Sequence, residues 1–270
     1  MQQSIDYRGK TVFVAGGTSG INLGIAHGFA RAGARLAVLS RSLDKVDAAV
    51  ATLRAHGGEV RGYAADVRDY AAVEAALASA AGELGGIDVL ISGAAGNFPA
   101  PALGMSANGF KTVIDIDLLG TYHVLRAAYA HLNKPGASIV NISAPQSYNA
   151  MQLQMHVCAA KAGVDMVTRV AAIEWGAAGV RVNSVVPGPI AGTEGMRRLA
   201  PTPEMEKVVA DSVPMRQFGT VDDIANCCLW LGSPLARYVT GAVIPVDGGW
   251  SLGGTSITSG AMPQATGGGH

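Results

Sequence analysis

Residues 11–30 read TVFVAGGTSGINLGIAHGFA, an apolar run followed by a glycine-rich turn and then by a helical pattern. A strand that leads through glycines into a helix is the arrangement that binds the phosphates of a dinucleotide. Gly16 permits the tight turn, and Gly20 lets the backbone approach a phosphate. A purely structural turn is the alternative. The predicted cofactor residues of this turn are Gly16, Thr18, Ser19, Gly20 and Ile21.

Short apolar runs alternate with longer helical patterns along the rest of the chain. The predicted strands are 11–16, 34–40, 60–66, 87–95, 137–143, 180–187 and 242–247. The predicted helices between them include 43–56, 70–84, 109–132, 156–176 and 221–231. Repeated strand–helix–strand units build a parallel sheet with helices on both faces. The sequence therefore predicts an α/β, doubly wound Rossmann fold with a seven-stranded parallel sheet.

No linker or change in composition divides the chain, so residues 1–252 are predicted to form a single dinucleotide-binding and catalytic domain. The segment 188–214 interrupts the alternation after the sixth strand, where a doubly wound fold places ligand-binding loops. We interpret it as a substrate lid, with a plain surface loop as the alternative. The glycine-rich end, residues 253–270, is predicted to be a flexible tail.

Composition and charge limit the possible partners. The 20 basic and 20 acidic side chains cancel, so no charge pattern favours nucleic acid or an anionic membrane surface. No long apolar run predicts a membrane span, and the first residues lack an apolar signal core. The 3 cysteines lack metal-ligand spacing and suit a reducing compartment, so we expect a cytoplasmic protein without a metal. Because 49% of the residues are hydrophobic and 15% are charged, we expect other subunits to cover part of the surface.

The end of the second predicted strand indicates which dinucleotide is bound. NAD-binding folds place an acid here to accept the ribose hydroxyls, whereas this chain has Ser40 and Arg41. Arg41 can bind a 2′-phosphate through two hydrogen bonds and Ser40 can add its hydroxyl, which favours NADPH. A solvated arginine at a strand end is the alternative. The nearest acid, Asp44, falls in the first turn of a helix, where its expected role is to complement the helix dipole.

Motifs spread over roughly residues 8–250 resemble those of the short-chain dehydrogenases/reductases. They are Gly16 with Gly20, Asp66-Val67, Ala94-Ala95-Gly96, Lys161 in a helix and Pro187-Gly188. The resemblance implies that Asp66 and Val67 hold the adenine. It also implies that Gly96 borders the ribose beside Ala94 and Ala95, and that Lys161 bonds the nicotinamide ribose. Further along, it implies cofactor contacts from Pro187, Gly188, Ile190 and Thr193, with Thr193 at the carboxamide.

The catalytic group that is usual in this family is incomplete here. The family's tyrosine, four residues before the lysine, corresponds to Val157, its serine to Ala144 and its asparagine to Asp117. Of the four residues, only Lys161 is retained. Without a phenol or a hydroxyl to protonate a carbonyl oxygen, ordinary alcohol–ketone chemistry lacks its acid and base.

A narrower group within the family departs in the same way. The runs 94–98, 110–113, 115–117 and 187–195, with Gln154 and His156, resemble the 2,4-dienoyl-CoA reductases, especially the peroxisomal type. The resemblance implies hydride transfer from NADPH to the far carbon of a conjugated dienoyl thioester, followed by protonation of the dienolate, in the degradation of unsaturated fatty acids. It implies Asp117 and Lys161 as catalytic residues, which suits a developing negative charge that needs a nearby cation. A polar helix residue bonded to the backbone is the alternative for Asp117.

Weaker candidates accompany this group. His156 is a candidate catalytic residue, but it lies about 140° around a helix from Lys161. A packing histidine with satisfied hydrogen bonds is therefore at least as good an interpretation. Gln146 could donate to the thioester oxygen. The other predicted substrate contacts are Asn97, Phe98, Met155 and Met196, of which the last three suit an acyl chain.

The predicted partner is thus a small acyl-CoA-like molecule, and the predicted assembly is a homotetramer. The helices containing Asp117 and Lys161 resemble those that pair across two-fold interfaces in the family. Two other functions stay open. One is a reductase of the same fold that acts on another carbonyl or conjugated substrate, because the fold does not determine the substrate. The other is a catalytically silent NADPH-binding protein, against which the retained Lys161 and Asp117 argue.

Overall fold

The computed structural model describes the backbone of residues 5–253 and the side chains of all of these except 198 and 199. The strands are β1 Thr11–Ala15, β2 Arg35–Ser40, β3 Val60–Ala64, β4 Val89–Ser92, β5 Ser138–Ile142, β6 Arg181–Pro187 and β7 Val243–Val246. They form one sheet in the order β3–β2–β1–β4–β5–β6–β7, and every neighbouring pair is parallel. The predicted seven-stranded parallel sheet is confirmed.

Helices cover both faces of this sheet, as predicted. They are α1 Gly20–Arg31, α2 Leu43–Arg54, α3 Tyr70–Leu84, α4 Ala107–Val113, α5 Gly120–Ala128, α6 Met155–Trp175, α7 Glu194–Leu199, α8 Pro203–Ser212 and α9 Val221–Gly232. Side-chain hydrogen bonds cap the N-termini of several of these helices. Asp69 accepts a hydrogen bond from the N–H of Ala72 at the start of α3, and Thr220 forms a reciprocal cap with Asp223 at the start of α9.

Two apolar cores lie on the two sides of the sheet. Along β1 the side chains alternate, so that Val12 and Val14 belong to one core and Phe13 and Ala15 to the other. Residues of α1, α2 and α9 complete the first core, and residues of α3, α5 and α6 complete the second. The central strands β1, β4 and β5 are buried along their whole length because helices cover both faces of the sheet.

The strand order reverses between β1 and β4, which are neighbours in the middle of the sheet. From β1 the next strands, β2 and β3, extend to one edge, and from β4 the strands β5, β6 and β7 extend to the other. In doubly wound sheets, ligands bind in the crevice at the carboxyl ends of the strands where the strand order reverses. The turn after β1 and the loop after β4 therefore meet at the place where a cofactor is expected.

The helix predicted over 109–132 begins two residues earlier and is less regular than the sequence suggests. It begins at Ala107, where the hydroxyl of Ser106 accepts a hydrogen bond from the N–H of Gly109. A π-helical segment, Ile114–Leu119, then separates α4 from α5. Such segments insert an extra residue into a helix and often lie at functional sites. The extra residue changes which side chains point inward, and Asp117 lies within this segment.

The segment predicted as a lid, 188–214, contains α7 and α8. Thr193 caps α7, and Thr202 caps α8 just before Pro203. An isolated parallel bridge between Ile190 and Gly219 holds the start of the segment. Closure over a substrate stays a prediction. The predicted tail lies outside the described residues, except for Gly253 at the end of a short 3₁₀ turn.

Candidate active site

The turn after β1 has the conformation that its glycines predict. Gly16 has a φ of +78° and donates its N–H to the carbonyl of Leu39 at 2.8 Å. A Cβ at this position would lie 2.8 Å from the backbone nitrogen of Ala94, so only glycine allows this approach between the turn and the loop after β4.

The start of α1 is open on the side where a phosphate is expected. Gly20 has a φ of +53°, and a Cβ placed there would meet no atom within 4 Å. The preceding Ser19 makes no side-chain capping hydrogen bond, and the first turn of α1 carries no acidic residue. The first N–H groups of the helix therefore remain available, and nothing repels an anion. The turn fits the pyrophosphate of a dinucleotide.

A cleft of about 270 Å³ runs from this turn to the ends of β2, β3 and β4. It brings together the predicted residues Gly16, Thr18, Ser19, Ser40, Arg41, Asp66, Val67, Ala94, Ala95 and Gly96. Gly20 and Ile21, which directly follow Ser19, are not among its lining residues. Lys161, Pro187, Gly188, Ile190 and Thr193 also lie outside it, further along the carboxyl edge of the sheet.

Two polar residues of this cleft were not predicted from the sequence. Asn22, on the first turn of α1, donates its side-chain amide to the carbonyl of Gly93 at 2.7 Å, which ties the turn to the loop after β4. Lys45, near the start of α2, lines the cleft beside Arg41. Lys45 could have been found in the sequence, because it is a second cation four residues after Arg41, the predicted phosphate ligand.

The expected adenine end of the cleft carries an acid that is already paired. Asp66 accepts two side-chain hydrogen bonds from Arg68, at 3.0 and 2.6 Å, and a third from its backbone N–H. These hydrogen bonds, with a smaller contribution from Arg41, hold the pKa of Asp66 below its usual value. Val67 is buried, and its carbonyl lies 2.9 Å from Nδ1 of His123 on α5. Hydrogen bonds from Arg68 and His123 therefore hold this wall of the cleft.

Asp117 and Lys161 form a buried ion pair next to the loop after β4. Oδ2 of Asp117 lies 3.3 Å from Nζ of Lys161, and the two side chains are 1% and 7% exposed. The other carboxylate oxygen accepts a hydrogen bond of 2.7 Å from the N–H of Gly96. Nζ of Lys161 also donates to the carbonyl of Ile142, at 3.1 Å. Both predicted catalytic residues thus lie together, and both oxygens of the carboxylate are engaged.

The π-helical segment is the local reason for the position of Asp117. Four residues further on, the hydroxyl of Thr121 donates to the carbonyl of Asp117 at 2.6 Å, which satisfies one of the backbone groups near the irregular turn. The two interpretations of Asp117 therefore both apply. One carboxylate oxygen is bonded to the backbone, as in the alternative interpretation, and the other forms the ion pair with Lys161.

At the position of the family's tyrosine this chain has an apolar side chain, Val157, packed in the interior. Val157 is buried, and it contacts Val113 and Ala160 in a small apolar cluster. Near the position of the family's serine, the hydroxyl of Ser143 is buried and has no hydrogen-bond partner among residues 5–253. The position four residues before Lys161, where the family has its phenol, therefore holds an apolar side chain.

His156 is fully buried, and its ring centroid lies 4.6 Å from that of Phe98. Neither ring nitrogen has a hydrogen-bond partner in the part of the chain that the structure describes. The expectation of a packing histidine therefore agrees with its contact, but the expected satisfied hydrogen bonds are absent there. A buried polar group without a partner costs about 1–3 kcal/mol, so the two ring nitrogens do not stabilise the fold.

The remaining predicted substrate residues lie on several separate segments of the chain. Asn97 and Phe98 are exposed on the loop after β4, and Met155 is exposed at the start of α6. The side-chain amide of Gln146 lies 3.5 Å from Sδ of Met151. Met196, on α7, is partly buried.

The last group of predicted cofactor residues follows β6. A Cβ on Gly188 would lie 2.5 Å from Cα of Asp247, so the absence of a side chain lets the two segments pack together. The hydroxyl of Thr193 donates to the carbonyl of Ile190 at 2.9 Å and accepts from the N–H of Met196. Thr193 is thus the cap of α7, and a contact with a carboxamide stays a prediction.

Comparisons with known proteins agree with this fold and identify the family. A sequence model of the family described as "Enoyl-(Acyl carrier protein) reductase" matches residues 15–251. The peroxisomal 2,4-dienoyl-CoA reductase ((3E)-enoyl-CoA-producing) of Rattus norvegicus is 47% identical over 242 residues, which cover 89% of this chain and 83% of the rat protein. The probable 2,4-dienoyl-CoA reductase ((2E)-enoyl-CoA-producing) of Bacillus subtilis is 36% identical, over 89% of this chain and 96% of that protein.

A solved structure of a short-chain type dehydrogenase/reductase from Mycobacterium ulcerans is also similar. It has a TM-score of 0.87 and 31% sequence identity, with 92% of this chain and 91% of that chain covered. The chain belongs to the short-chain dehydrogenase/reductase family, and its predicted similarity to the 2,4-dienoyl-CoA reductases is confirmed. Family and fold imply an oxidoreductase with a nicotinamide cofactor. Within residues 5–253, no helix is long and apolar enough to cross a membrane.

Proposed function

We propose that this protein is an NADPH-dependent 2,4-dienoyl-CoA reductase that acts in the degradation of unsaturated fatty acids. The observation that carries the proposal is the buried pair of Asp117 and Lys161, combined with Val157 where a ketone reductase of the family has its tyrosine. The names of the relatives described above support the same substrate class.

The cleft fits the proposed cofactor. The open start of α1 would bind the pyrophosphate, and Ser40 with Arg41 would bind the 2′-phosphate that distinguishes NADPH from NADH. Val67 and Asp66 would border the adenine. When bound, NADPH supplies the hydride for the reduction.

The substrate chemistry explains why a phenol is dispensable. Hydride adds to C5 of the conjugated 2,4-diene, and the displaced π electrons move to the thioester oxygen as a dienolate. A proton from solvent then adds to C2, which leaves a double bond between C3 and C4. The barrier depends mainly on stabilising the oxygen's negative charge, for which a cation held in place is suited.

Lys161 provides that cation, and Asp117 orients it. Because the buried ammonium is paired with Asp117 and bonded to the carbonyl of Ile142, it is held in one position before substrate binds. The hydrogen bond from Gly96 to Asp117 also fixes the loop that presents Asn97 and Phe98. We propose that Asn97 and Gln146 donate to the thioester oxygen and that Phe98, Met155 and Met196 contact the acyl chain, with 188–214 as the lid.

A homotetramer is part of the same proposal. The outer sides of the π-helical segment, α5 and α6 carry large apolar side chains that are 40% or more exposed: Leu119, Tyr122, Met166, Val170 and Ile173. Burial of such a surface between copies is favourable. The cytoplasmic location stays a prediction, and the rat relative is named as peroxisomal.

The test is NADPH oxidation with 2,4-hexadienoyl-CoA compared with a 3-oxoacyl-CoA of similar length. The proposal expects rapid oxidation only with the dienoyl thioester, and a product whose double bond lies between C3 and C4 by NMR. A double bond between C2 and C3 would retain the substrate class and change the site of protonation. A protein inert toward the dienoyl thioester but fast with the ketone would overturn the proposed function.

A further inference from the structure

A second cavity lies at the opposite edge of the sheet from the cofactor cleft. Its lining residues include Lys10, just before β1, Asp88, just before β4, and Arg181, the first residue of β6. In a parallel sheet these positions share the amino edge, whereas the cofactor cleft lies at the carboxyl edge. Because β6 has 7 residues, the two edges are about 20 Å apart. A molecule in this cavity therefore lies outside the nucleotide site.

The cavity has a volume of about 640 Å³, within the range of pockets that hold small molecules. Four of its lining residues have no side chain: Gly136, Gly176, Gly179 and Gly232. A Cβ placed on Gly136 or Gly176 would meet no atom within 4 Å, so there is open space beside both. Apolar side chains form other parts of the wall: Ile5, Tyr7, Val180 and Pro234. The cavity therefore suits a ligand with an apolar body.

Arg181 places a guanidinium in the wall of this cavity without an acid beside it. Its side chain is partly buried, and its N–H groups reach the carbonyls of Val239 and Ser233 only at 3.5 and 3.4 Å. Burial lowers the pKa of Arg181, and within residues 5–253 no carboxylate pairs with its guanidinium to offset that effect. Hydrogen bonds of this length are weak, so the guanidinium keeps most of its capacity to bind an anion.

The two acids that line the same cavity do not neutralise Arg181. One oxygen of Asp88 accepts from Nζ of Lys10 at 3.0 Å, and the other accepts from the N–H of Thr11 at 2.9 Å. Both oxygens of Asp6 are also hydrogen-bonded, to the arginine two residues later. The carboxylates of the wall are thus satisfied within the chain, and the unmatched charge of the cavity is positive.

We propose that this cavity is a second ligand site, which takes a monocarboxylate with an aliphatic body of medium length. Arg181 binds the carboxylate through two parallel N–H groups, and the apolar wall covers the aliphatic body. The single charge of the ligand matches the single guanidinium that is partly buried. Arg237, which is exposed and lines the same cavity, adds a second positive charge that favours an anion over an amine.

Isothermal titration calorimetry of the wild-type protein with three probes tests the site. Octanoate has the charge and the aliphatic body, octan-1-ol has the body alone, and acetate has the charge alone. Octanoate is expected to bind with a dissociation constant of about 1 mM or below, which ligands of this size can reach. The other two probes are expected to bind at least about tenfold more weakly, because each lacks either the charge-assisted contact or the apolar burial.

Two variants of Arg181 test the charged contact. Arg181→Met removes the guanidinium and keeps an unbranched apolar side chain, and it is expected to weaken octanoate binding about tenfold or more. Arg181→Lys keeps the charge without the two-bonded geometry, so its loss of affinity is expected to be smaller. Arg61→Met is the matched control. Its residue lies on β3, about 24 Å across the sheet from β6, and octanoate binding is expected to change less than about twofold.

Gly176→Leu tests the space in the cavity while Arg181 stays intact. Gly176 has a helical φ of −58°, and a Cβ there meets no atom within 4 Å, so the fold accepts a side chain at this position. The leucine is expected to occupy part of the cavity and to weaken octanoate binding about threefold or more, without a lower melting temperature. Circular dichroism and thermal unfolding establish that each variant is folded. If Arg181→Met does not fold, Arg181→Lys and Gly176→Leu carry the test.

Each result supports or overturns the site. A dissociation constant of octanoate above about 1 mM in the wild type overturns it. Equal binding of octanoate and octan-1-ol, or full affinity in Arg181→Met, would mean that the guanidinium does not select the ligand, which overturns the carboxylate. Full affinity in Gly176→Leu would place the aliphatic body outside the cavity and would also overturn the proposal. Turnover of a dienoyl thioester is a separate readout, so the proposed reductase activity can fail without affecting these outcomes.

Discussion

Asp117 and Lys161 are joined in the interior of the protein, where 3.3 Å separates the carboxylate from the ammonium and neither side chain is more than 7% exposed. The second carboxylate oxygen is bonded to the N–H of Gly96. One side chain thus connects the cation on α6 to the loop that follows β4. Changes at Asp117 should therefore affect catalysis through the cation and stability through the loop, and the two effects can be separated.

Asp117→Ala is expected to reduce kcat with 2,4-hexadienoyl-CoA by about two orders of magnitude or more while NADPH still binds, because the Lys161 cation is no longer held in place and a preorganised electrostatic contact contributes about 10²–10³-fold to kcat. Lys161→Ala should reduce both turnover and cofactor binding. Stopped-flow NADPH oxidation and cofactor titration measure the two quantities.

Asp117→Asn provides the matched control, since its side-chain oxygen can still accept from Gly96 but no longer neutralises Lys161. We expect its thermal stability to exceed that of Asp117→Ala and its turnover to remain low. An Asp117→Ala enzyme that works at full speed would contradict the assigned role of the pair.

The cofactor preference depends on Arg41 in the proposed function. Arg41→Asp should narrow or reverse a preference for NADPH over NADH, because it replaces a charge-assisted contact worth about 10- to 100-fold in affinity with repulsion of the phosphate. Dissociation constants of the two cofactors, measured by fluorescence titration, test this. Equal affinities of the wild type for NADPH and NADH would show that Arg41 does not bind the 2′-phosphate.

The arrangement of the strands could be predicted because each strand is a short apolar run between helical patterns, and a sheet covered on both faces demands such runs. The glycine turn was equally clear, since Gly16 approaches Ala94 more closely than any side chain allows. The cofactor cleft therefore followed from local sequence together with the topology of parallel sheets.

The interior of the site could not be predicted to the same degree. A π-helical segment has no simple residue pattern, so the bond from Asp117 to Gly96 was not foreseen. The unpartnered nitrogens of His156 depend on what surrounds the ring in three dimensions, which helical spacing does not reveal. Asn22 was missed because its carbonyl partner, Gly93, lies on a different strand connection.

His156 provides a direct comparison with the proposed catalytic pair. His156→Ala is expected to reduce kcat much less than Asp117→Ala does, because the ring packs against Phe98 and makes no hydrogen bond within residues 5–253. Its main effect should be on thermal stability, since removing a buried ring leaves a cavity. Turnover and melting temperature of the two variants are measured side by side. A loss of turnover as large as that of Asp117→Ala would make His156 part of the catalytic group.

The exposed apolar side of α6 tests the proposed assembly. Light scattering of the wild type at micromolar concentration should give a mass close to four subunits. Ile173 is 81% exposed, so Ile173→Asp should leave an isolated subunit folded while it places a charge in a buried interface, and the measured mass should fall. Lys207→Glu on α8, an exposed site outside this apolar surface, is the control and should not change the mass. A wild type with the mass of a single subunit would refute the tetramer.

The last prediction concerns the missing phenol. Val157→Tyr restores the residue that ketone reductases of the family have four positions before the lysine, yet we expect no efficient reduction of a 3-oxoacyl-CoA. The valine is buried against Val113 and Ala160, so a larger ring must displace them at a cost of about 1–3 kcal/mol. Ala144 would still lack the serine hydroxyl. The double variant with Ala144→Ser tests that second requirement, with NADPH oxidation on the ketone and dienoyl substrates as the readout. Rapid ketone reduction by Val157→Tyr alone would show that the phenol was the only missing part, and that Asp117 and Lys161 are not specialised for dienolate chemistry.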